Sequence, residues 1–446
     1  MSVSPKLSRS LREAVLTQVG SLREEIIQLV VDLVRIPSES HPPGGDQGKV
    51  QQYIAGLFRE LALEVDTFEP WSVAGVTDHP GWWPGLDYKD RPNVVGVWKG
   101  TGGGRDLILN GHCDVVPAGS RSSWCRDPYS GDIADGKIHG RGTADMKAGI
   151  AAMTMAVVSL QRLGIRCAGN VILQSVVDEE FGGYNGTLSC CLKGYRADAA
   201  IIPEPTGLNI APAAKGGQTY HATVPGRNAH HAWAWEGVSA FENAIVLRDA
   251  LIQWERLRAA DQKDSPLFGD KRHFPIPALA NTIWFVRAGE VHLMATPQTA
   301  ELGFWVDVLP GEDREDVLAR FEQHIRTVSS IHPFLRNQPI RLERALMRPF
   351  TGVSAPLDHP IIDIVRQMQT AARGVTPDIV GLAGACDQMI FSLYSDTPAI
   401  VFGPGNGRVA HSPDEFVDIE EVISATKTLA LTIAEFCGVV DPGRAS

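Results

Sequence analysis

An α/β architecture interrupted by a smaller α+β unit is the fold class that this chain predicts, on three observations. Ahead of Lys215, apolar strand-like runs alternate with helical ones, the pattern of a sheet covered by helices on both faces. Beyond Lys215 the order becomes strand, helix, strand, strand, helix, strand, which suggests a ferredoxin-like insertion. The α/β style then returns. At 446 residues the chain also exceeds the length at which one core usually keeps growing. Two domains are therefore expected, one from 1–214 with 346–446 and the other from 215–345.

The elements follow in order. Leu22, Ile26, Leu29, Val30 and Leu33 recur at helical spacing, and Pro37 ends that helix. Val50, Ile54, Leu57, Phe58 and Leu61 mark a second. The stretch 70–92, rich in Pro, Gly and Trp, reads as a long loop. Strands are expected at 93–98, 107–109, 170–177 and 199–202, with a helix over 148–163. In the insertion, strands at 219–224, 282–286, 299–308 and 340–346 alternate with helices at 238–258 and 312–328. A helix at 361–372, a strand at 399–402 and a helix at 419–436 close the chain. No internal repeat or low-complexity tract is evident.

Composition narrows the function. A hydrophobic content of 44% with 21% charged residues is that of an ordinary globular enzyme. The net charge of −11 argues against nucleic acid or an anionic membrane as the main partner. No apolar run approaches the roughly 20 residues that span a bilayer. Met1-Ser2-Val3-Ser4-Pro5-Lys6 lacks the layout of a secretory signal. Seven cysteines without a CxxC pair fit a reducing cytoplasm. Gly100-Thr101-Gly102-Gly103-Gly104 precedes a strand and reads as a turn, not a phosphate loop, and no Gly-x-Ser-x-Gly elbow occurs.

Five segments carry borderline N/O donors of the kind that suit zinc, cobalt or manganese. His112 and Asp114 stand two apart at a strand end, so both leave on one face. Either both bind metal, or His112 binds and Asp114 anchors its ring; the second is favoured, since a ligating imidazole donates its other N–H to such a partner. Asp145 follows Gly140-Arg141-Gly142 and opens a helix, where its two oxygens could bridge two ions. Glu179 and Glu180 follow a buried strand, one suited to a metal and the other to water. Glu204 lies between Pro203 and Pro205, which stiffen its backbone. His411 follows a glycine-rich loop. Cys113 is a rival nucleophile, but its side chain should point away from His112 and Asp114, as a buried structural thiol does. His324, His359 and most other histidines read as surface residues.

With these motifs in this order, the chain resembles the M20 metallopeptidase family, which includes acetylornithine deacetylase, succinyl-diaminopimelate desuccinylase, aminoacylase-1 and glutamate carboxypeptidase. The resemblance runs from Ile36-Pro37-Ser38 to His411-Ser412-Pro413-Asp414-Glu415. It implies a zinc-peptidase-like catalytic domain with an inserted dimerisation (lid) domain. It also implies two divalent ions per subunit, zinc first with cobalt or manganese as alternatives. Asp145 would bridge the two, with His112 and Glu204 completing one site and Glu180 and His411 the other. Glu179 would be the general base and Asp114 the partner of His112. A cis peptide is implied at Asp145–Met146.

In the insertion, Gly226-Arg227-Asn228-Ala229-His230 resembles the family segment whose histidine crosses into a partner subunit, with His231 the alternative if the register slips by one. A homodimer through the lid is thereby implied. The glutamate at 204 tilts the expected chemistry towards deacylation of a small N-acyl amine or amino acid. A dipeptidase or carboxypeptidase with the same centre is the alternative, and a non-catalytic binding homologue is the alternative of another class. Met294 and Asp307 stand where the family often carries Asn and Arg, which leaves open how a substrate carboxylate is held. Trp82, Trp83, Trp233 and Trp235 are either pocket walls or ordinary packing.

Overall fold

A computed structural model describes residues 7–440 apart from 183, 346 and 347. The Met1–Lys6 leader reading and the end of the 340–346 strand therefore lie outside the described residues. The chain divides into two compact units. One gathers the residues up to Pro212, Ala355–Leu382 and those from Cys386 on; the other gathers Ala213–Ser354 and Ala383–Ala385.

The first unit is built on a mixed sheet. Seven of its strands lie in the spatial order Ile210–Ala214, Ala399–Val401, Ala199–Ile202, Leu107–His112, Val171–Val176, Asn93–Trp98, Glu64–Phe68, and Ile379–Leu382 and Val353–Ser354 also pair with Ile210–Ala214. The four strands from Ala399–Val401 to Val171–Val176 are parallel, and their outer neighbours run antiparallel. Strands buried on both faces read as continuous apolar runs, and Leu107–His112 and Val171–Val176 are buried at every position. The helix Ala148–Arg162 is buried around nearly its whole circumference, which accounts for its Ala-, Met- and Val-rich sequence. Helices Arg23–Val34 and Ile419–Cys437 pack into the same core.

At Gly149 that buried helix touches the next layer of main chain directly. A Cβ there would meet the Pro203 carbonyl oxygen at 2.1 Å, so only glycine permits the approach.

Several elements were not expected from the sequence, among them the strands Glu64–Phe68, Ile210–Ala214 and Ile379–Leu382 and the helices Asn185–Leu192 and Gln388–Tyr394. A helix, Arg9–Ser21, precedes the first expected one, capped by the Ser8 hydroxyl, which accepts from Leu11 N at 3.2 Å. Only Val15 and Val19 of it are buried, too thin a stripe to register as periodicity. The strands Asp132–Ala134, Lys137–His139 and Phe416–Asp418 form a small separate sheet, each too short to carry a pattern.

The second unit has four antiparallel strands in the spatial order Thr282–Ala288, Thr299–Val308, Gly216–Pro225, Arg341–Arg344. Counted along the chain this is second, third, first, fourth, the ferredoxin-like arrangement. Helices Ala240–Asp261 and Arg314–Ile331 supply the other half of its core, with Tyr220, Phe304 and Phe321 at the centre.

Candidate metal centre

The site grows out of the carboxyl ends of the four parallel strands, the edge where open α/β sheets place their ligands. His112 is the last residue of Leu107–His112; the strand Val171–Val176 leads into Asp178, Glu179 and Glu180; Ala199–Ile202 leads into Pro203 and Glu204; Ala399–Val401 leads into the loop that ends at His411. Asp145 arrives from the turn ahead of the helix Ala148–Arg162.

Asp145 stands between the two histidines. Its Oδ1 is 3.1 Å from His112 Nε2 and its Oδ2 is 3.4 Å from His411 Nε2. Glu204 Oε1 lies 3.3 Å from the same His112 nitrogen, and Glu180 Oε2 lies 2.8 Å from His411 Nε2. Donor atoms of His112, Asp145 and Glu180 all fall within 4.8 Å of one another. Glu179 Oε2 sits slightly further off, 3.8 Å from His112 Nε2. The Asp145–Met146 peptide is cis.

Asp114 acts differently from the expected carboxylate anchor. His112 Nδ1 faces the Asp114 backbone carbonyl at 2.9 Å, while the nearer carboxylate oxygen is 3.7 Å away. The carboxylate instead accepts from Ser40 Oγ at 2.9 Å and from the backbone N–H groups of Glu179 at 3.3 Å and Glu180 at 3.2 Å. One residue thus orients the imidazole through its main chain and the two glutamates through its side chain.

Two residues absent from the sequence-based site complete it. Glu415 accepts from the N–H groups of Ala144 at 2.9 Å and Asp145 at 3.2 Å, and from Arg141 Nη1 at 2.5 Å. Arg141 also donates to the Ser412 carbonyl, next to His411. The signal was an acid four residues beyond the histidine. Tyr184, five residues beyond Glu179, is buried and had no signal at all.

The donor set fits divalent metal. Four buried or nearly buried carboxylates converge on two imidazoles with no lysine or arginine among the converging groups. Burial and the charge of Asp145 push the Glu204 carboxyl up to about 8. Burial, opposed by His112 and reinforced by Glu204 and Glu180, raises Glu179 well above the carboxylate range. Hydrogen bonds to Asp145 and Glu180 push His411 up to about 11. Such a cluster holds protons until cations replace them. The two basic residues nearest Asp145 in sequence are committed elsewhere: Lys147 Nζ donates to the carbonyls of Leu33 and Ile36 at 2.9 and 2.8 Å, and Arg141 is held by Glu415.

Other candidates fall elsewhere. Cys113 is fully buried and its thiol is pushed up to about 12 by burial and Asp114, the state of an inert thiol. His230 belongs to the second unit, exposed at the start of the turn His231–Glu236, where its Nδ1 accepts from Ala232 N. Its ring lies 4.2 Å from that of His231. Trp233 and Trp235 are exposed, whereas Trp82 and Trp83 are half-buried. Met294 is exposed; Asp307 is buried and paired with Lys215 Nζ at 2.9 Å. His324 and His359 are half-buried. His324 Nε2 faces the Ala250 carbonyl, and His359 caps the helix Pro360–Arg373.

Among the described residues no helix is long and apolar enough to cross a membrane. A family model described as peptidase family M20/M25/M40 matches residues 108–435. N-formyl-4-amino-5-aminomethyl-2-methylpyrimidine deformylase of Halalkalibacterium halodurans is 31% identical over 452 aligned positions, covering 96% of this chain and 98% of that one. Succinyl-diaminopimelate desuccinylase of Methylorubrum populi is 28% identical, covering 87% and 92%. The crystal structure of human carnosine dipeptidase 1 shares the fold, with a TM-score of 0.73 at 16% identity over 97% of this chain and 100% of that one.

Proposed function

Because the chain belongs to peptidase family M20/M25/M40 and is a metal-dependent amide hydrolase of that family, we propose that it removes a small acyl group from an amine at a dinuclear centre. Asp145 carries this reading, since its two oxygens face two different histidines. His112 and Glu204 would hold one ion, Glu180 and His411 the other, and Asp145 both. Zinc is the first choice for this mixed nitrogen and oxygen donor set, with cobalt or manganese next. When bound, two such ions supply Lewis acidity towards the amide carbonyl and acidify water.

The residues supply the rest. Glu179 takes the proton from the attacking water and delivers it to the leaving nitrogen, the work of a general base and then acid. Asp114 fixes the Glu179 and Glu180 main chain, so the base and a metal ligand keep their separation.

The substrate class proposed is an N-formyl or similarly short N-acyl amine without a carboxylate. Arg141, Lys147 and Lys215 are all committed to internal partners, so these three are not free to bind a carboxylate. The deformylase relative, by its name, acts on such an amine. Purified protein loaded with zinc, cobalt or manganese would be assayed on N-formyl aminomethylpyrimidine, N-formylbenzylamine, N-acetylornithine, N-succinyl-diaminopimelate and free dipeptides. Chelator-sensitive cleavage of the formyl amines is the expected result. Preference for the amino-acid substrates would overturn the substrate class, dipeptide cleavage would support the peptidase alternative, and metal binding without turnover of any of them would support a binding role.

A homodimer is proposed through the second unit. The edge strand Thr282–Ala288 exposes Trp284, Phe285 and Val286, an apolar edge of the kind that pairs with another copy. His230 of a second copy would then hold the developing oxyanion. Seven unpaired cysteines support a cytoplasmic location.

A further inference from the structure

The strand that leads to the base ends in a break of the extended backbone, and a tyrosine 90 residues upstream holds that break in place. Past Val171–Val176 the chain turns at Asp178, whose φ of 74° lies in the left-handed region. Glu179 follows directly and opens a tight turn, in which Gly182 N donates to Glu179 O and Tyr184 N to Asp178 O, both at 2.7 Å. Neighbouring side chains of an extended chain leave on opposite faces. The turn is what lets Glu179 and Glu180 both approach the histidines. Aspartate is among the few residues with a side chain that visit the left-handed region, and such backbone persists where its surroundings over-determine it.

Those surroundings are Asn185 and Tyr88. The Asn185 amide has a fixed orientation, because its Oδ1 accepts from Trp83 N at 2.9 Å and its Nδ2 donates to Trp83 O at 2.7 Å. Nδ2 also donates to Tyr88 Oη at 2.8 Å. The phenol is thereby an acceptor towards Asn185, and its one proton goes to Asp178 Oδ2. Both ends of that bond are buried. The Tyr88 ring is held by Trp71, edge-on at 5.7 Å between centroids, and by Trp82 at 5.6 Å. Arg91 N donates to Tyr88 O at 3.0 Å, and the Arg91 side chain is spent on the Asp87 carbonyl and Gln47 Oε1. Asp114 holds the N–H groups of Glu179 and Glu180, so Tyr88 supplies the hold on the residue before them.

We infer that Tyr88 is a positioning residue for the general base: its hydroxyl holds the Asp178 side chain, so that the left-handed backbone ahead of Glu179 keeps the base aimed at the metal centre. This rests on the assignment of Glu179 as base. Tyr88 acts only through Asp178.

Tyr88→Phe in the full chain removes one hydroxyl and keeps the ring, and two readouts test it. In chelator-treated protein, hydrogen exchange at the amides of Gly182 and Tyr184 should rise by about tenfold or more, while the strand Val171–Val176 keeps its protection. In zinc-loaded protein with N-formylbenzylamine as probe, kcat should fall by about tenfold or more, with KM and metal content unchanged. In the Asp178→Gly background, which keeps the left-handed backbone without a side chain, Tyr88→Phe should lower kcat no further. Unchanged exchange at the turn, or full kcat in Tyr88→Phe with Glu179→Gln crippled, would overturn the inference and leave the base assignment standing. Equal losses in both Asp178 backgrounds, or loss of metal alongside kcat, would make Tyr88 a packing residue and overturn it likewise. Full activity in Glu179→Gln would overturn the base assignment and the inference together.

Discussion

Arg141 and Glu415, 274 residues apart in sequence, form a buried ion pair at 2.5 Å that joins the turn bearing Asp145 to the loop bearing His411. The Glu415 carboxylate spends its remaining capacity on the N–H groups of Ala144 and Asp145. Removing one member of such a pair leaves an uncompensated buried charge, at a cost of about 3–5 kcal/mol. Arg141→Leu is therefore expected to lower Tm sharply and to weaken metal retention, read by thermal unfolding and metal analysis on one preparation. Glu415→Gln breaks the same pair from the other side, leaves the buried Arg141 charge unpaired, and should lower Tm and metal retention alike.

Glu179→Gln is expected to retain both ions and the wild-type Tm while kcat falls by about two to four orders of magnitude, the usual contribution of a general base. Steady-state kinetics beside metal counting separates this from ligand loss. Glu180→Gln, by contrast, should lose metal.

Metal-free protein should grow less stable as pH rises through neutrality. The Glu204 carboxyl is raised from 4.5 to about 8 and the His411 imidazole from 6.5 to about 11. Both therefore bind more protons folded than unfolded. Stability from Glu204 is present below its unfolded value and declines towards pH 8; that from His411 begins to decline above 6.5 and is lost by about 11. Bound cations replace those protons, so metal affinity should rise over the same span. Thermal melts of chelator-treated and zinc-loaded protein, at about pH 5 and about pH 8, check both slopes. A chelated protein that melts higher at the upper pH would contradict them.

Val286→Lys places a charge on the exposed edge strand. Sedimentation should show a shift from dimer to monomer, with little change in Tm since the residue is exposed, and a fall in kcat if His230 acts across the interface. A wild-type chain that sediments as a monomer would remove the dimer from the proposal.

The legible parts of this molecule are those where local physics and tertiary role coincide. The runs at 93–98 and 199–202 are strands because strands buried on both faces must be apolar throughout. The converging donors were readable because each follows a strand or a glycine-rich turn. What escaped was set by partners distant in sequence. Glu415 looks like any surface acid until Arg141 is brought to it. The part played by the Asp114 carboxylate depends on two backbone N–H groups from another strand end. Asp307 looked like a missing arginine in a substrate pocket and is instead the buried counter-ion of Lys215. The helix Arg9–Ser21 buries too few residues to announce itself.

Gly149 has a further bearing on the chemistry. Asp145 stands just ahead of the helix Ala148–Arg162, and Glu204 directly follows Pro203, whose carbonyl lies against Gly149. The spacing between the backbones that carry those two carboxylates is therefore set where main chain meets main chain. A methyl group at position 149 would push those two backbones apart and move both carboxylates at once, whereas a ligand substitution touches one of them alone.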